Sequence, residues 1–275
     1  MKYDMQWWAM HRHDIPVDGD WRGFAGVTHG GYQRQDAIIR RHPDLVLYSV
    51  IYTVPYYRVS LETNRPFEFP SRGDLFDGYK GVLPLIGSEF LGRGFRGWWV
   101  DWTRVDIDQI IARLRPLVPS HVAYWMVDNI PEWYKAFGRD AARFVEQVHA
   151  LCKCLRNILD VPIVGNIYQG GAHADAFLRV GDGLLFENWF WFWADGSPLR
   201  DSTRRTIQQR VERALENPAK FVVLHVPAVP ESQVAFAQKR ILDMLQRYDT
   251  KRVLFYEYRP AQNTVSVRRL MQGIE

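Results

Sequence analysis

The segment His121–Trp133, HVAYWMVDNIPEW, decides the fold because it contains a buried strand and the point where that strand ends. Residues 122–127 are apolar or aromatic without interruption, which is typical of a strand buried on both faces of a parallel sheet. Asp128 and Asn129 follow at once, and Pro131 prevents the strand from continuing. The segment therefore predicts a strand that delivers an acid and an amide to one edge of a sheet.

Similar apolar runs alternate with amphipathic helical patterns along the whole chain. The predicted strands are Asp4–Met10, Leu45–Val54, Gly97–Thr103 and residues 121–127, 161–168, 183–189, 221–227 and 252–260. Parallel strands need crossover helices, and eight such units fit 275 residues. We therefore predict one domain over residues 1–275, an α/β fold of the (β/α)8 barrel (TIM barrel) type. A long irregular insertion is expected at about 58–96, with a short strand at 84–91.

Several other classes of protein lack support in the sequence. The GVTHGG stretch at 26–31 does not match the GxGxxG pattern of a dinucleotide-binding sheet. Cys152 and Cys154 lie two positions apart in a predicted helix, which suits core packing better than a disulfide or a metal site. The net charge of +4 comes from scattered arginines. We expect no nucleic-acid partner and no membrane partner.

Polar residues stand at the ends of the predicted strands. In barrels of this type the active site lies at the carboxyl ends of the strands. One such residue would be explained by helix capping, but a whole series of acids and amides favours a binding site. The candidates are Asp101, Asp128, Asn129, Asn166, Tyr168, Glu187, Asn188, His225 and Glu257.

Side-chain alternation selects a pair of carboxylates among these candidates. Asp128 shares a strand face with Tyr124 and Met126, and Glu187 shares one with Leu185. Two carboxylates across one cleft are what glycoside hydrolysis needs. We predict that Asp128 and Glu187 are catalytic and that the other candidates contact the substrate. Which carboxylate is the acid stays open, as does the choice between retention and inversion.

Aromatic residues make up 14% of the chain, including 11 tryptophans. The run NWFWFW at 188–193 follows Glu187 directly, and its rings could stack on sugar faces. If that prediction is right, at least one of Trp189, Trp191 and Trp193 is accessible. The alternative is a hydrophobic loop packed against the rim of the barrel.

A metal-dependent hydrolase is the rival prediction from the first strand. His11 and His13 form a His-x-His pair there. Barrels that use such a pair need further histidines after the fifth and sixth strands and an aspartate after the eighth. Those places hold Asn166, Glu187 and Glu257, so we expect no metal and no other cofactor.

Four of these stretches together resemble a known family. The order WVDWT at 99–103, YWMVDNI at 124–130, VPIVGN at 161–166 and GLLFENW at 183–189 resembles glycoside hydrolases related to the endo-α-1,4-polygalactosaminidases. The resemblance extends over Trp98–Trp193 and implies a barrel with Asp128 and Glu187 as the carboxylate pair. Members of that family often carry Asp-Gly before the first of these acids, where this chain has Ala123–Trp125.

The sequence thus predicts an enzyme that hydrolyses a polysaccharide or glycoconjugate by a two-carboxylate mechanism without a metal. The alternative is a non-catalytic carbohydrate-binding barrel within a larger cell-surface or viral assembly. The first residues lack the long apolar centre of a signal peptide, and no apolar run reaches the length of a membrane span. We accordingly expect a cytoplasmic protein or one released by a non-classical route. The oligomeric state is left open.

Overall fold

A computed structural model gives the fold of the chain. It describes residues 6–10, 17–18, 21, 26–28, 32–45, 47–65, 83–92, 94–118, 121–187, 189, 199–226, 229–249, 252–258, 270 and 274. His11, His13, Asn188, Trp191 and Trp193 lie outside the described residues. For Glu257 the structure describes the backbone alone.

Eight of the eleven described strands are parallel and form one closed sheet. These eight are β1 (Gln6–Met10), β2 (Gly26–Thr28), β3 (Tyr48–Thr53), β7 (Val122–Val127), β8 (Ile163–Asn166), β9 (Gly183–Phe186), β10 (Phe221–Val226) and β11 (Val253–Tyr258). Their order around the sheet is β1, β11, β10, β9, β8, β7, β3, β2, and β2 pairs again with β1. The predicted α/β fold with a parallel sheet is therefore confirmed.

Seven helices of four or more residues are described, and they connect the strands on the outside of the sheet. They are α1 (Tyr32–Arg41), α2 (Ile107–Leu114), α3 (Ile130–Ala136), α4 (Ala141–Ile158), α5 (Ala172–Leu178), α6 (Asp201–Glu216) and α7 (Val234–Arg247). Six of the eight parallel strands, all except β1 and β11, are followed by a described helix before the next parallel strand. The capping side chains follow the sequence signals, since Asp106 accepts a hydrogen bond from the backbone N–H of Gln109 at the start of α2.

The remaining strands form a three-stranded antiparallel sheet between β3 and α2. Its strands are β4 (Tyr56–Ser60), β5 (Leu85–Gly92) and β6 (Phe95–Val100), in the order β4, β6, β5. The segment at about 58–96 was expected to be largely irregular, but most of its described part is this sheet. The expected short strand at 84–91 lies within it as β5.

The prediction that Gly97–Thr103 is a strand of the barrel is wrong. Residues 97–100 belong to the antiparallel β6, and Trp102 and Thr103 lie in a short 3-10 helix. The place in the barrel belongs to β2, which pairs with β1 and β3. An apolar run predicts a strand but not the direction of its partner, which depends on pairing far along the chain. The sequence does not predict β2, because this strand has only three residues and lies in a glycine-rich stretch.

Two cores lie on opposite faces of the parallel sheet. The larger core packs the outward side chains of the strands against the helices. The smaller core fills the interior of the barrel with Val50, Tyr124, Met126, Val164, Leu185, Val223, Leu254 and Tyr256. Because side chains alternate along a strand, the residue two positions after each of these points to the same interior, one layer nearer the carboxyl ends of the strands. This layer forms the floor of the site.

Candidate active site

Five polar residues occupy this layer. Counting two positions on from Val50, Met126, Val164, Leu185 and Val223 gives Tyr52, Asp128, Asn166, Glu187 and His225. The predicted strand-end residues therefore converge because five parallel strands end at the same rim. Asp128 is 9% exposed and Asn166 is 3% exposed. These groups need hydrogen-bond partners at such depth, and the partners are one another.

Asn166 joins the two predicted catalytic carboxylates. Its Nδ2 donates one hydrogen bond to Asp128 Oδ1 at 2.8 Å and another to Glu187 Oε1 at 2.7 Å. Both oxygens contact one nitrogen, so they lie at most 5.5 Å apart, the sum of the two distances. The amide oxygen of Asn166 accepts the backbone N–H of Tyr168 at 3.2 Å. Both polar atoms of the Asn166 side chain are thus engaged, Nδ2 with the two carboxylates and Oδ1 with the Tyr168 backbone.

Asn129 fixes the other oxygen of Asp128. It has left-handed backbone angles, with φ 58°, which asparagine tolerates better than most residues. Its Nδ2 donates to Asp128 Oδ2 at 3.1 Å and to the Tyr56 hydroxyl at 3.2 Å. Its Oδ1 accepts the Tyr168 hydroxyl at 3.1 Å. Asn129 and Asn166 therefore position carboxylates, whereas the sequence had suggested contacts to the substrate.

The pKa values of the two carboxyl groups are raised. Burial raises the pKa of Asp128 to about 7, with a further contribution from the negative charge of Glu187. Burial also raises the pKa of Glu187, although the hydrogen bond from Asn166 acts against it. The charge of Glu132, on the first turn of α3, adds to both shifts. The negative charge of Glu187 opposes ionisation of Asp128, and a pKa of about 7 leaves Asp128 partly protonated near neutral pH.

His225 supports Glu187 from behind. Its Nδ1 forms a hydrogen bond with the backbone carbonyl of Glu187, so the ring donates at that nitrogen. Burial lowers the pKa of His225 to about 4, which keeps the ring neutral. The contact is to the Glu187 backbone, at the position where β9 ends. His225 therefore holds the end of this strand in place.

Asp101, a predicted substrate contact, has another role in the structure. Asp101 follows β6 directly, and its Oδ1 accepts hydrogen bonds from the backbone and hydroxyl of Thr103 and from Gln147 of α4. Burial raises the pKa of Asp101, but these hydrogen bonds outweigh it and lower the pKa below its usual value. Asp101 thus caps a turn in the wall between the antiparallel sheet and α4.

The prediction that Trp189 stacks on a sugar is wrong for this structure. The side chain is 0% exposed and packs edge-on against the Phe255 ring at 6.1 Å. The Arg240 guanidinium covers the ring at 5.1 Å from its centroid. Trp189 lies three residues beyond the end of β9, where strand alternation no longer applies, and it packs into the larger core between the sheet and the helices.

Sequence reasoning missed two tyrosines at the site. The Tyr52 hydroxyl donates a hydrogen bond to Asp128 Oδ2, and Tyr56 reaches Asn129 from the antiparallel sheet. Tyr52 could have been found, because it follows the inward-facing Val50 by two residues. Tyr56 carried no such signal, since the antiparallel sheet was not predicted. Its ring packs with those of Phe90, Phe95 and Trp99, which anchors the sheet beside the carboxylates.

Within the part of the chain that the structure describes, no helix is long and apolar enough to cross a membrane. Groups of three or more histidine, cysteine, aspartate or glutamate side chains suited to hold a metal ion are likewise not found among the described residues. The predicted His11–His13 pair lies outside those residues.

Comparison with known proteins gives matches in structure alone. No protein-family model and no curated protein sequence matches the chain. The glycoside hydrolase domain of PelA from Pseudomonas aeruginosa is similar over 95% of this chain and 98% of that domain, with a TM-score of 0.58 and 11% identity. The α-galactosidase TtGalA from Thermus thermophilus, solved with stachyose, is similar over 98% of this chain and 64% of that one, with a TM-score of 0.54 and 12% identity. A family GH13_31 enzyme is similar over 92% and 65% of the two chains, with a TM-score of 0.53 and 9% identity. The chain therefore shares its fold with glycoside hydrolase domains.

Proposed function

We propose that the protein is a glycoside hydrolase that cleaves a polysaccharide or glycoconjugate with Asp128 and Glu187, without a metal or other cofactor. The observation that carries the proposal is the Asn166 amide held between the two carboxylates at 2.8 and 2.7 Å. The fold shared with glycoside hydrolase domains agrees with it. We further infer that the fold is a complete (β/α)8 barrel. We also propose that the chain is related to the endo-α-1,4-polygalactosaminidases, which its sequence resembles over Trp98–Trp193.

The separation of the carboxylates favours a retaining mechanism. Retaining glycosidases hold their two carboxyl groups about 5–5.5 Å apart, whereas inverting ones leave about 6.5–9.5 Å for a water molecule. The oxygens bridged by Asn166 are at most 5.5 Å apart. We therefore propose a double displacement. Because a pKa of about 7 suits Asp128 to donate a proton, we assign Asp128 as the acid and base and Glu187 as the nucleophile.

The first step forms a covalent intermediate. The Glu187 carboxylate attacks the anomeric carbon while Asp128 gives its proton to the glycosidic oxygen, and the bond between that carbon and oxygen breaks. The products are a glycosyl ester of Glu187, a leaving sugar with a new hydroxyl group, and an ionised Asp128. The pKa of about 7 suits Asp128 to this task near neutral pH.

The second step reverses the roles. The ester of Glu187 is neutral, so it no longer raises the pKa of Asp128. Asp128 can then take a proton from a water molecule as the water attacks the anomeric carbon and releases Glu187. The charge of Glu187 thus alternates, and this alternation moves the pKa of Asp128 in the direction that each step needs.

Hydrolysis of a panel of polysaccharides tests the proposal. Release of new reducing ends is measured for the natural chain and for the double variant Asp128→Asn, Glu187→Gln. We expect at least one glycan to be cleaved by the natural chain and not by the variant. Binding of a glycan without cleavage would instead support a carbohydrate-binding barrel, and equal cleavage by both proteins would refute the assignment of the site.

The stereochemistry of the product is a separate prediction. A double displacement through Glu187 releases a sugar whose new anomeric hydroxyl has the configuration of the bond that was cut. Proton NMR spectra recorded in the first minutes of hydrolysis, before mutarotation, distinguish the two anomers. An initial product of inverted configuration would contradict the nucleophilic role of Glu187.

The hydroxyl of Tyr52 is expected to set the upper pH limit of activity. It donates to Asp128 Oδ2, and a donor to a carboxylate favours the ionised form. Tyr52→Phe removes that donor, so the pKa of Asp128 rises and the alkaline limb of the pH–rate profile moves to higher pH. We expect the maximal rate to fall by about tenfold, since Asp128 also loses an orienting contact. An unmoved alkaline limb would show that Tyr52 does not act on Asp128.

A further inference from the structure

The loop between β8 and α5 has unusual backbone angles next to the carboxylate pair. Tyr168 has φ 54° and Gly170 has φ 78°, both in the left-handed region. Glycine enters this region freely, but a tyrosine is held there only when its surroundings determine the conformation. The contacts around this loop therefore determine its conformation.

Tyr168 is linked to both catalytic residues, to Asp128 through Asn129 and to Glu187 through its backbone. Its hydroxyl donates to Asn129 Oδ1 at 3.1 Å, and Asn129 in turn donates to Asp128. Its backbone carbonyl accepts the N–H of Glu187 at 3.1 Å, and its own N–H donates to Asn166 Oδ1 at 3.2 Å. A shift of this one residue would disturb Asn129, Asn166 and Glu187 together.

Arg210 holds the loop from outside the barrel. It lies on α6, and its Nη1 donates to the carbonyl oxygen of Gln169 at 2.8 Å and also to that of Gly170. Its side chain runs so close to Gly170 that a Cβ there would lie 2.8 Å from Arg210 Cδ. Burial lowers the pKa of Arg210, while Asp175 of α5 acts against that shift. A half-buried guanidinium placed against two successive carbonyls is suited to locking their orientation.

We propose that Arg210 is a positioning residue of the active site, which holds the loop 168–171 so that Tyr168 keeps Asp128 and Glu187 in their paired arrangement. The inference rests on the proposed function. It assigns a role in the reaction to a side chain that contacts neither carboxylate and lies on the helical layer.

A double-mutant cycle between Arg210→Ala and Tyr168→Phe tests the coupling through hydrolysis. We expect each single variant to lower kcat by about tenfold with little change in KM, because the substrate still binds but the pair is misaligned. The double variant should be only slightly slower than either single one, since both changes act through Tyr168. Effects that multiply to about a hundredfold would overturn the proposal. Arg210→Lys, which retains a positively charged donor group, should recover part of the rate.

Arg252 provides a matched control. Its guanidinium also donates to backbone carbonyls, those of Lys220, Leu215 and Asn217, but these lie where the chain enters β10, at the opposite end of the strand from His225. Arg252→Ala should lower stability and should combine with Tyr168→Phe by simple multiplication. Coupling of Arg252 as strong as that of Arg210 would show that the effect is general loosening of the fold.

A measurement without substrate separates this inference from the proposed function. The free energy of unfolding is compared at pH 4 and pH 8 for the natural chain, Arg210→Ala and Arg252→Ala. Release of the loop lets the two carboxylates move apart and relieves their repulsion when both are ionised, so Arg210→Ala should cost less stability at pH 8 than at pH 4. Arg252→Ala should lower the free energy of unfolding by the same amount at both pH values.

An equal loss of stability for Arg210→Ala at the two pH values would overturn the inference even if the carboxylate variants are inactive. Full activity of Asp128→Asn or Glu187→Gln would refute the proposed function alone.

Discussion

Asp128→Asn and Glu187→Gln are each expected to lower the rate of glycoside hydrolysis by about 10²–10⁴-fold, the range that a general acid or base contributes. Asp128→Asn removes the proton donor to the leaving oxygen, and Glu187→Gln removes the group that attacks the anomeric carbon. Both changes preserve side-chain size, so the fold is retained. Initial rates of reducing-end release on the same glycan, with circular dichroism to verify folding, measure the effect.

A small nucleophile distinguishes the two roles. Added azide can attack the anomeric carbon in place of the missing group. In a Glu187→Ala variant the azide replaces the protein nucleophile, so the glycosyl azide has inverted configuration. In an Asp128→Ala variant it attacks the ester of Glu187, and the configuration is retained. The opposite pair of products would exchange the roles assigned to the two carboxylates.

Glu132→Gln is the matched control for these substitutions. Glu132 lies on α3, four residues after Asp128, and its charge raises the pKa of both Asp128 and Glu187. Loss of that charge should move the alkaline limb of the pH–rate profile to lower pH and change the maximal rate by less than about tenfold. A loss as large as that of the carboxylate variants would place Glu132 in the catalytic machinery and weaken the assignment of the pair.

The second large effect is expected in stability. The pKa of Asp128 in the folded protein, about 7, lies above its usual value of 3.8. Between these values the folded state keeps a proton that the unfolded chain has released, so the stability contributed by this group is lost as the pH rises from about 4 to about 7. Three pKa units correspond to a loss on the order of 4 kcal/mol. The direction is opposite to that of a carboxylate held in an ion pair.

Asp128→Asn should therefore make the protein more stable at pH 8 while it removes activity. An uncharged amide avoids the burial cost and the repulsion from Glu187. It also brings its own donors towards Asn129 and Asn166, so the net gain should be smaller, about 1–3 kcal/mol. At pH 4 the variant should be no more stable than the natural chain. Denaturant unfolding at the two pH values measures the difference.

Asp101→Asn serves as the control for the stability prediction, with the opposite sign. Hydrogen bonds from Thr103 and Gln147 lower the pKa of Asp101, so the ionised form stabilises the folded state. The stability from Asp101 is present at pH 8 and is lost as the pH falls through its lowered pKa. Asp101→Asn should therefore destabilise the protein at pH 8. If both variants are destabilised at pH 8, buried repulsion at Asp128 is not the cost that we infer.

The strands that run from β7 to β11 could be predicted from the sequence because local information suffices for them. Each is a predominantly apolar segment of four to six residues, bounded by turns or helices. The strands in the first half of the barrel could be predicted less well from the sequence. β2 is only three residues long and lies in a glycine-rich stretch. The apolar sequence of β6 has the pattern of a buried barrel strand, although its partner strands are antiparallel.

The candidate site shows the same division. Alternation along β7 and β9 placed Asp128 and Glu187 on the inward face, because the two-residue period is fixed by the backbone. The roles of Asn129 and Asn166 could not be predicted. An amide at the end of a strand can face a substrate or a carboxylate, and the choice depends on which neighbouring strand brings a partner within about 3 Å.

The sequence by itself therefore determined the parallel α/β class, the positions of most strands and the two carboxylates that face one another. These follow from periodicity and from the chemistry of residues at strand ends, which are local properties. The tertiary structure alone decided that Asn166 lies between the carboxylates, that Tyr52 and Tyr56 join them, that Trp189 is buried and that Arg210 reaches the Tyr168 loop from α6. Each of these depends on the register and distance between elements separated by many residues, and closure of the barrel fixes that register.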